Sequence, residues 1–393
     1  APCTLPCGVL RRMPWRDAAA PLAALLPFIV LRGQFAAAVL LEPKQSLPVA
    51  KGSGAKAFSI ASEQFLAVAD YEGDSKTYRW NGTQFIVAQT LPFSASHIAA
   101  FEWDSVPYLV AIKRPEEGNI YKTSMQLLKW DSTSFQAHRS FEVGLVRNAH
   151  FFNASGTGFL AVAVYQSEDG AGDTDSLIYS FDGDTLGEYQ KLPTKWAQDM
   201  TSLEVNGEYF LVVACGAADE SKVFRWDGTA FALHQSINAP SGASVVTFSA
   251  DGDRWIALAG GTSDTQLLRW NSTADLFGAQ RSIAHSGSIK LWEPFMLDGE
   301  LYLAQGGDSG SVLVAVYRWR FGALLPTIDL AVEEGAITDI SHFAIDNQMY
   351  LVMTDSTEWA VRVFRTYPIK APPKGVKAPL KVVIKYKARP CPP

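Results

Sequence analysis

The sequence predicts an all-β fold, a seven-bladed β-propeller whose blades are four-stranded antiparallel sheets and whose last blade is closed by an N-terminal strand. Three observations lead to this prediction: a sevenfold repeat, four short strand-like runs in each period, and a last period whose fourth run stands near the start of the chain. Repeats of roughly 40 to 50 residues built from short β-rich runs are typical of propellers.

The repeat is marked by an apolar run that ends in an aromatic residue before a polar turn, as in VFRWD from Val223 to Asp227. Seven such anchor residues lie 44 to 51 residues apart: Trp80, Trp130, Phe181, Trp226, Trp270, Trp319 and Phe364. A second aromatic–aliphatic run precedes each anchor, an apolar position lies seven residues before that run, and a fourth run follows the anchor. These runs predict four strands per blade, with the aromatic side chains buried between blades.

The turns and the closing strand follow from the same pattern. Polar pairs such as Asn206-Gly207 and Asp251-Gly252 separate the first two runs, and these residue types favour hairpin turns with positive φ. The segment after Phe364 does not resemble a fourth run, whereas LEPKQSL from Leu41 to Leu47 does. We therefore expect this segment to complete the seventh blade, which removes the exposed edges of an open array.

Composition divides the chain into three segments. Residues 1–38 have a charged start, an apolar stretch and a small-residue cleavage motif, which is the pattern of a signal peptide. The apolar stretch is too short for a membrane span. Residues 39–367 are predicted to form the propeller, and residues 368–393 form a Pro- and Lys-rich tail that we expect to be extended.

Composition also excludes several classes of protein. The formal net charge of −6 speaks against nucleic-acid binding. Four Cys in 393 residues rule out a scaffold built on disulfides. The sequence contains no nucleophile elbow, phosphate-binding loop or close pair of histidines with metal-ligand spacing. The residues therefore favour a binding module over an enzyme.

One position in each repeat points to a candidate site. Equivalent residues of successive blades lie at the same height, so the position four residues before each inner-strand apolar residue should form a ring at the channel mouth. The ring consists of Gly54, His97, Asn148, Asp199, Ser244, Leu291 and Asp339. The carboxylates of Asp199 and Asp339 are candidate ligands for a hard cation such as Ca²⁺. The alternative is a propeller hydrolase, such as a glycosidase, that uses Asp199, Asp339 and His97.

Two segments, Phe65 to Leu91 and Phe210 to Ile237, carry the repeat most clearly as FLAVAD…SKTYRWNGTQFIVAQTL and FLVVACG…SKVFRWDGTAFALHQSI. They resemble the EAR (epilepsy-associated, or EPTP) repeat, and the resemblance covers roughly residues 41–367. EAR propellers occur in the leucine-rich glioma-inactivated proteins as extracellular modules that bind other proteins. The resemblance implies a secreted or cell-surface module that binds a protein, or a glycan, through one propeller face without catalysis. It also implies calcium as a candidate ligand of the channel.

Three sequons support an extracellular setting. They are Asn81-Gly-Thr83, Asn153-Ala-Ser155 and Asn271-Ser-Thr273, and all three fall at predicted turns. Because turns are exposed, glycans attached at Asn81, Asn153 and Asn271 would project into solvent.

The charge of the tail predicts salt-sensitive assembly. Residues 58–367 carry about −18, whereas residues 368–393 carry +7. A basic tail beside an acidic body can fold back on its own surface or bind an acidic neighbour, and such attraction reaches only about 8–10 Å at physiological salt. If the tail bridges molecules, the molar mass measured by light scattering should fall as salt rises and should be that of a monomer after deletion of 368–393. A monomer with and without the tail, at low and at high salt, would contradict assembly through the tail.

Overall fold

The structure is a computed structural model that describes residues 38–369, apart from 116–117, 217–219, 240, 262, 285–288, 308–313, 331–335 and 356–359. Within these residues all the regular elements are β-strands, and they form seven four-stranded antiparallel sheets. No helix that could cross a membrane occurs in this part of the chain. The predicted signal peptide and basic tail lie almost entirely outside the described residues.

The strands follow one another in chain order, four to a blade. Blades one to three contain β2 (Gly52–Ile60), β3 (Glu63–Asp70), β4 (Ser75–Trp80), β5 (Phe85–Leu91), β6 (Ala95–Trp103), β7 (Val106–Lys113), β8 (Thr123–Trp130), β9 (Phe135–Val143), β10 (Leu145–Ala154), β11 (Thr157–Gln166), β12 (Asp175–Phe181) and β13 (Leu186–Pro193). Blades four to six contain β14 (Ala197–Val205), β15 (Glu208–Cys215), β16 (Glu220–Trp226), β17 (Phe231–Asn238), β18 (Gly242–Ala250), β19 (Asp253–Gly260), β20 (Ser263–Asn271), β21 (Leu276–Ile283), β22 (Ile289–Leu297), β23 (Glu300–Gly307), β24 (Val314–Arg320) and β25 (Ala323–Leu330). Blade seven contains β26 (Ile337–Ile345), β27 (Gln348–Asp355), β28 (Ala360–Ile369) and, from the start of the described chain, β1 (Ala38–Pro48).

The closing strand lies where the sequence predicts it. β1 pairs antiparallel with β28, from Ala38 opposite Ile369 to Pro48 opposite Ala360. The order in the seventh sheet is β1-β28-β27-β26, so the N-terminal strand takes the outer position that a fourth strand holds in the other blades. The prediction of a closed seven-bladed propeller is confirmed.

The hairpin turns confirm the predicted backbone conformation. Asn206 and Gly207 have φ values of 54° and 83°, and Asp251 and Gly252 have 53° and 81°. Both residues of each pair are thus in the left-handed region, which suits the twist of two-residue β-hairpins. The turn chemistry therefore fixes the register of the first two strands in these blades.

An aromatic layer joins each blade to the next. The anchor of one blade packs against the second-strand aromatic residue of the preceding blade: the ring centroids of Trp226 and Phe159 are 5.1 Å apart, and those of Trp319 and Trp255 are 4.7 Å apart. Phe159 is completely buried. Edge-to-face and tilted aromatic contacts of this kind stabilise beyond the area that they bury.

The prediction that all the anchors are buried is wrong for four tryptophans. Phe181, Trp319 and Phe364 are buried, whereas the other four anchors are half-buried: Trp80, Trp130, Trp226 and Trp270. Each of these four ends its strand or precedes its last residue, but so does the buried Trp319, so the strand end alone does not decide the exposure. The Trp319 indole is held against the preceding blade, where its Nε1 donates to Oδ2 of Asp251 at 2.8 Å. The smaller Phe181 and the mid-strand Phe364 are covered completely.

A glutamine in the outer strand links several neighbouring blades. Nε2 of Gln235 donates to the carbonyl oxygen of Phe277 at 2.8 Å, and the Phe277 N–H donates back to Oε1 of Gln235 at 2.9 Å. Gln45, Gln89 and Gln190 make the same pair of bonds to the first residue of the outer strand in the next blade. A β-bulge directly before the glutamine turns it toward the neighbouring blade.

Removing one of these glutamine clamps should destabilise the propeller. Gln235→Ala leaves the N–H and carbonyl of Phe277 without partners, and we expect a loss of about 2–4 kcal/mol in the free energy of unfolding. The matched control is Gln280→Ala, an exposed residue whose amide donates to Gly278 in its own strand, which should change stability by less than about 0.5 kcal/mol. Urea denaturation measures both, and equal midpoints for the two variants would contradict the clamp.

Candidate binding site in the central channel

The first strand of every blade lines the central channel, and a β-bulge near its start places the ring residue. In β14 the pairing skips from Ala197 to Asp199, and in β26 it skips from Ile337 to Asp339. The same shift occurs in the other five inner strands. Bulges redirect side chains, so the ring position follows from a backbone feature that recurs in all seven blades.

The structure brings the predicted ring residues together around one cavity of about 370 Å³. The ring residues that line it are His97, Asn148, Asp199, Ser244, Leu291 and Asp339. The seventh, Gly54, lies beside them: a Cβ there would be 3.2 Å from Oδ2 of Asp339 and 3.6 Å from Nδ1 of His97. The missing side chain at Gly54 therefore leaves room for its two neighbours.

A second ring lies two residues further along the inner strands, and sequence reasoning missed it. Lys56, His150 and Glu293 follow Gly54, Asn148 and Leu291 at an interval of two, and all three line the same cavity. Residues at this interval share one face of a strand. The signal was present in the sequence, since a lysine between two alanines is unusual in a strand that is otherwise small and apolar.

The two predicted carboxylates each join neighbouring blades. Oδ2 of Asp199 accepts the N–H of Val245 in the next blade at 2.9 Å, and Oδ1 accepts the N–H of Met200 at 2.9 Å. Oδ2 of Asp339 accepts the N–H of Ala55 at 2.9 Å, which connects blade seven to blade one. Both aspartates therefore hold adjacent inner strands in register.

The protein around the channel shifts the titration of these groups. Burial raises the pKa of Asp199 to about 6, although the N–H of Val245 opposes the shift. Burial raises the pKa of Asp339 to about 7, against the opposing charge of Lys56. The carboxylate of Glu293 raises the pKa of Lys56 despite the burial of the ammonium. The lumen thus contains one firmly charged cation and two carboxyl groups that change charge near neutral pH.

The channel histidines are neutral at physiological pH. Burial lowers the pKa of His97 and of His150 to about 4, and the charge of Lys56 adds to both shifts. The N–H of Ser202 donates to Nε2 of His150 at 3.1 Å, so the ring proton of His150 lies on Nδ1. The neutral His150 therefore accepts a hydrogen bond from the backbone of the next blade and has a structural role.

The donor set does not fit the calcium ion that the resemblance implies. Among the residues that the structure describes, no three His, Cys, Asp or Glu side chains are close enough together to hold a metal. Both oxygens of Asp199 and one of Asp339 already accept backbone hydrogen bonds. A Ca²⁺ ion needs six to eight oxygen ligands, and the ammonium of Lys56 would repel it in the same cavity.

The sequons lie on the face opposite the ring. In an antiparallel blade, the turns after the first and the third strand share one face, which we call the turn face. Asn153 is the next-to-last residue of a first strand, Asn271 is the last residue of a third strand, Asn81 directly follows a third strand, and all three are exposed. The ring residues stand at the start of the first strands, near the opposite face, which we call the ring face.

Comparison with known families supports the resemblance. The profile of the EPTP domain matches residues 41–81 and 188–227. The first match runs from the closing strand through the first three strands of blade one, and the second runs from β13 through the turn after β16. Each match thus begins in an outer strand and ends in the next blade. The sequence repeat is offset by one strand from the structural blade, which is why the ring closes through β1.

The chain is also similar to several curated proteins. It is 24% identical over 294 residues to Leucine-rich repeat LGI family member 3 of Mus musculus, covering 61% of this chain and 51% of that protein. It is 28% identical over 189 residues to the Thrombospondin-type laminin G domain and EAR repeat-containing protein of Mus musculus, covering 44% and 27%. Leucine-rich repeat LGI family member 2 of Homo sapiens is 22% identical, with 70% and 49% covered. The similarity thus spans about half the length of the LGI relatives.

The raised pKa of Asp339 predicts a pH-dependent effect of Asp339→Asn. Because the folded state binds this proton more tightly than the unfolded state, the contribution of Asp339 is fully present below pH 4 and is lost as pH rises through about 7. The stability of the native protein relative to Asp339→Asn should therefore fall by about 2–4 kcal/mol between pH 4 and pH 8.

Asp131 provides a control of opposite sign. Hydrogen bonds from Thr133 and Ser134 lower its pKa to about 2, so the stability that Asp131 contributes should be lost only as pH falls toward 2. Urea denaturation between pH 2 and pH 8 measures Asp339→Asn and Asp131→Asn against the native protein. Parallel pH profiles for the native protein and Asp339→Asn would contradict the assignment of Asp339.

Proposed function

We propose, on the premise that the chain carries EPTP repeats in a closed seven-bladed propeller, that it is an extracellular, non-catalytic module that binds a protein partner through its ring face. The observation that carries this proposal is the placement of all three sequons on the turn face. Glycans at Asn81, Asn153 and Asn271 would cover that face and leave the ring face open to a partner. The likeness to LGI-family and EAR-repeat proteins supports an interaction module.

A cluster on the ring face has the composition of a binding hot spot. Arg114 and Arg147 are exposed, and they stack on Tyr71 and Tyr165 with distances of 5.1 and 4.6 Å to the ring centroids. Ile120 is 64% exposed and lines a groove of about 330 Å³ with Tyr71 and both arginines. Arginine and tyrosine are enriched among residues that dominate binding energy. We call these five residues the Arg–aromatic patch.

The channel-mouth ring forms the centre of the same face. In this proposal His97, Asn148, Asp199, Ser244 and Asp339 supply polar groups at the bottom of a partner-binding surface. Oδ1 of Asn148 is buried and has no hydrogen-bond partner in the described residues, so it can accept a bond from a ligand. The Arg–aromatic patch would supply most of the affinity, and the channel-mouth ring would select a partner that places a polar group at the propeller axis.

The test immobilises the full chain and uses it to capture a binding partner from a set of extracellular proteins. Arg147→Ala combined with Tyr165→Ala should weaken the binding of a captured partner by more than tenfold. Phe321→Ala is the matched control, since Phe321 is 88% exposed on the turn face and should not alter binding. If Phe321→Ala loses binding while the patch variant binds fully, the partner binds the turn face and the proposal is wrong. If the chain binds a glycan array but no protein, the ligand is a carbohydrate and the proposal of a protein partner is wrong.

A hydrolase remains the second candidate because of one observation. Asp199 and Asp339 are carboxyl groups with raised pKa values in a polar cavity, as glycosidase acids are. Their hydrogen bonds to Val245 and Ala55 give them a structural role that explains the burial equally well. Hydrolysis of glycoside substrates by the native chain, abolished by Asp199→Asn, would establish the enzyme and overturn the binding module.

A further inference from the structure

Among the described residues that line the central channel, there are one ammonium group and three carboxylates. Lys56 of blade one lines the same cavity as Asp199 of blade four, Glu293 of blade six and Asp339 of blade seven. Blade one and blade seven are the two blades that meet where the ring closes, and their inner strands pack directly against each other. The carboxylates come from widely separated parts of the chain, so they meet only in the closed ring.

Such a cluster needs a counterion. Like charges repel strongly where protein replaces water, and buried carboxylates are stable only when a cation or hydrogen bonds offset their charge. The hydrogen bonds are in place: Val245 and Ala55 donate to the two aspartates, and Nδ1 of His342 lies 2.6 Å from Oε1 of Glu293. The remaining requirement is a positive charge, and Lys56 is the lysine that lines this cavity.

We propose that Lys56 is the built-in cation of the channel, so that the closed propeller requires no bound metal ion. The ammonium is tethered to β2 and is therefore present at a fixed ratio to the carboxylates, independent of the ion concentration around the protein. It also raises the cost of admitting a divalent cation, since both would occupy the same small lumen. The electrostatic preference of Lys56 for its charged form is consistent with this role, with Glu293 as the largest contributor.

Local sequence makes room for this arrangement. Gly54 and Ala55 precede Lys56, and the carboxylate of Asp339 occupies the space beside Gly54 while it accepts the N–H of Ala55. A Cβ at position 54 would lie 3.2 Å from Oδ2 of Asp339, so a larger residue there would crowd the carboxylate. The two positions thus work together, one admitting the anion and the other supplying the cation.

The first measurement uses the unaltered full chain. Its melting temperature should shift by less than about 1 °C between millimolar CaCl₂ and EDTA, because no ion is needed. A reproducible rise of several degrees in CaCl₂ that EDTA reverses would show a bound ion and would overturn the proposal.

The second measurement replaces the charge while keeping the length of the side chain. Lys56→Met should lower the melting temperature by about 5 °C or more, and millimolar CaCl₂ should restore part of that loss. The matched control is Lys222→Met, which removes a surface lysine that pairs with Glu220 at 3.2 Å and should cause a shift of less than about 2 °C without any response to calcium. Lys56→Arg keeps the charge and should remain insensitive to calcium.

A double variant separates charge from packing. Adding Glu293→Gln to Lys56→Met removes one carboxylate, so the double variant should melt above Lys56→Met. If Lys56→Met melts like the unaltered chain, or if Glu293→Gln lowers its melting temperature further, Lys56 is not the counterion. If Lys56→Met fails to fold, the calcium measurement on the unaltered chain and the Lys56→Arg variant still decide the question.

Discussion

The antiparallel pairing of β1 with β28 is the interaction on which the rest of the structure depends. A propeller blade contacts only its two neighbours, so an unclosed array would leave an exposed edge strand and two unpaired blade surfaces. The closing strand supplies the outer strand of blade seven and brings Gln45 against the backbone of Phe85 in blade one. One strand thus completes a sheet and also makes a contact between blades.

The chemistry of the channel follows from this closure. The hydrogen bond from Ala55 to Asp339 crosses from the first blade to the last, as does the packing of β2 on β26. Lys56 and Asp339 are 283 residues apart in sequence, and the closed ring places them around one cavity. The electrostatics of the lumen is therefore a property of the whole ring, and no single repeat contains it.

Much of the fold could be predicted from the sequence because each blade repeats the same local pattern. Turn pairs such as Asn206-Gly207 fix hairpins locally, and LEPKQSL could be identified as a strand through its likeness to FALHQSI. The ring positions could be predicted for the same reason. The second ring was missed although Lys56 stands out in its own strand, because the importance of Lys56 lies in the carboxylates of other blades that line the same cavity. The half-buried tryptophans were missed because their exposure depends on how far the neighbouring blade covers each indole, which the repeat pattern does not contain.

The pairing of Ala38 with Ile369 also has a mechanical consequence. Ala38 and Ile369, the first and last described residues, lie side by side on the turn face, at the open end of the β1–β28 ladder. Tension applied through these two points would pull the ladder apart one hydrogen bond at a time, whereas a shearing load would have to break many bonds together. Force transmitted through the chain would therefore open the ring at its seam before it disturbed the other six blades, and the seam would act as the weakest mechanical link of an otherwise continuous circle.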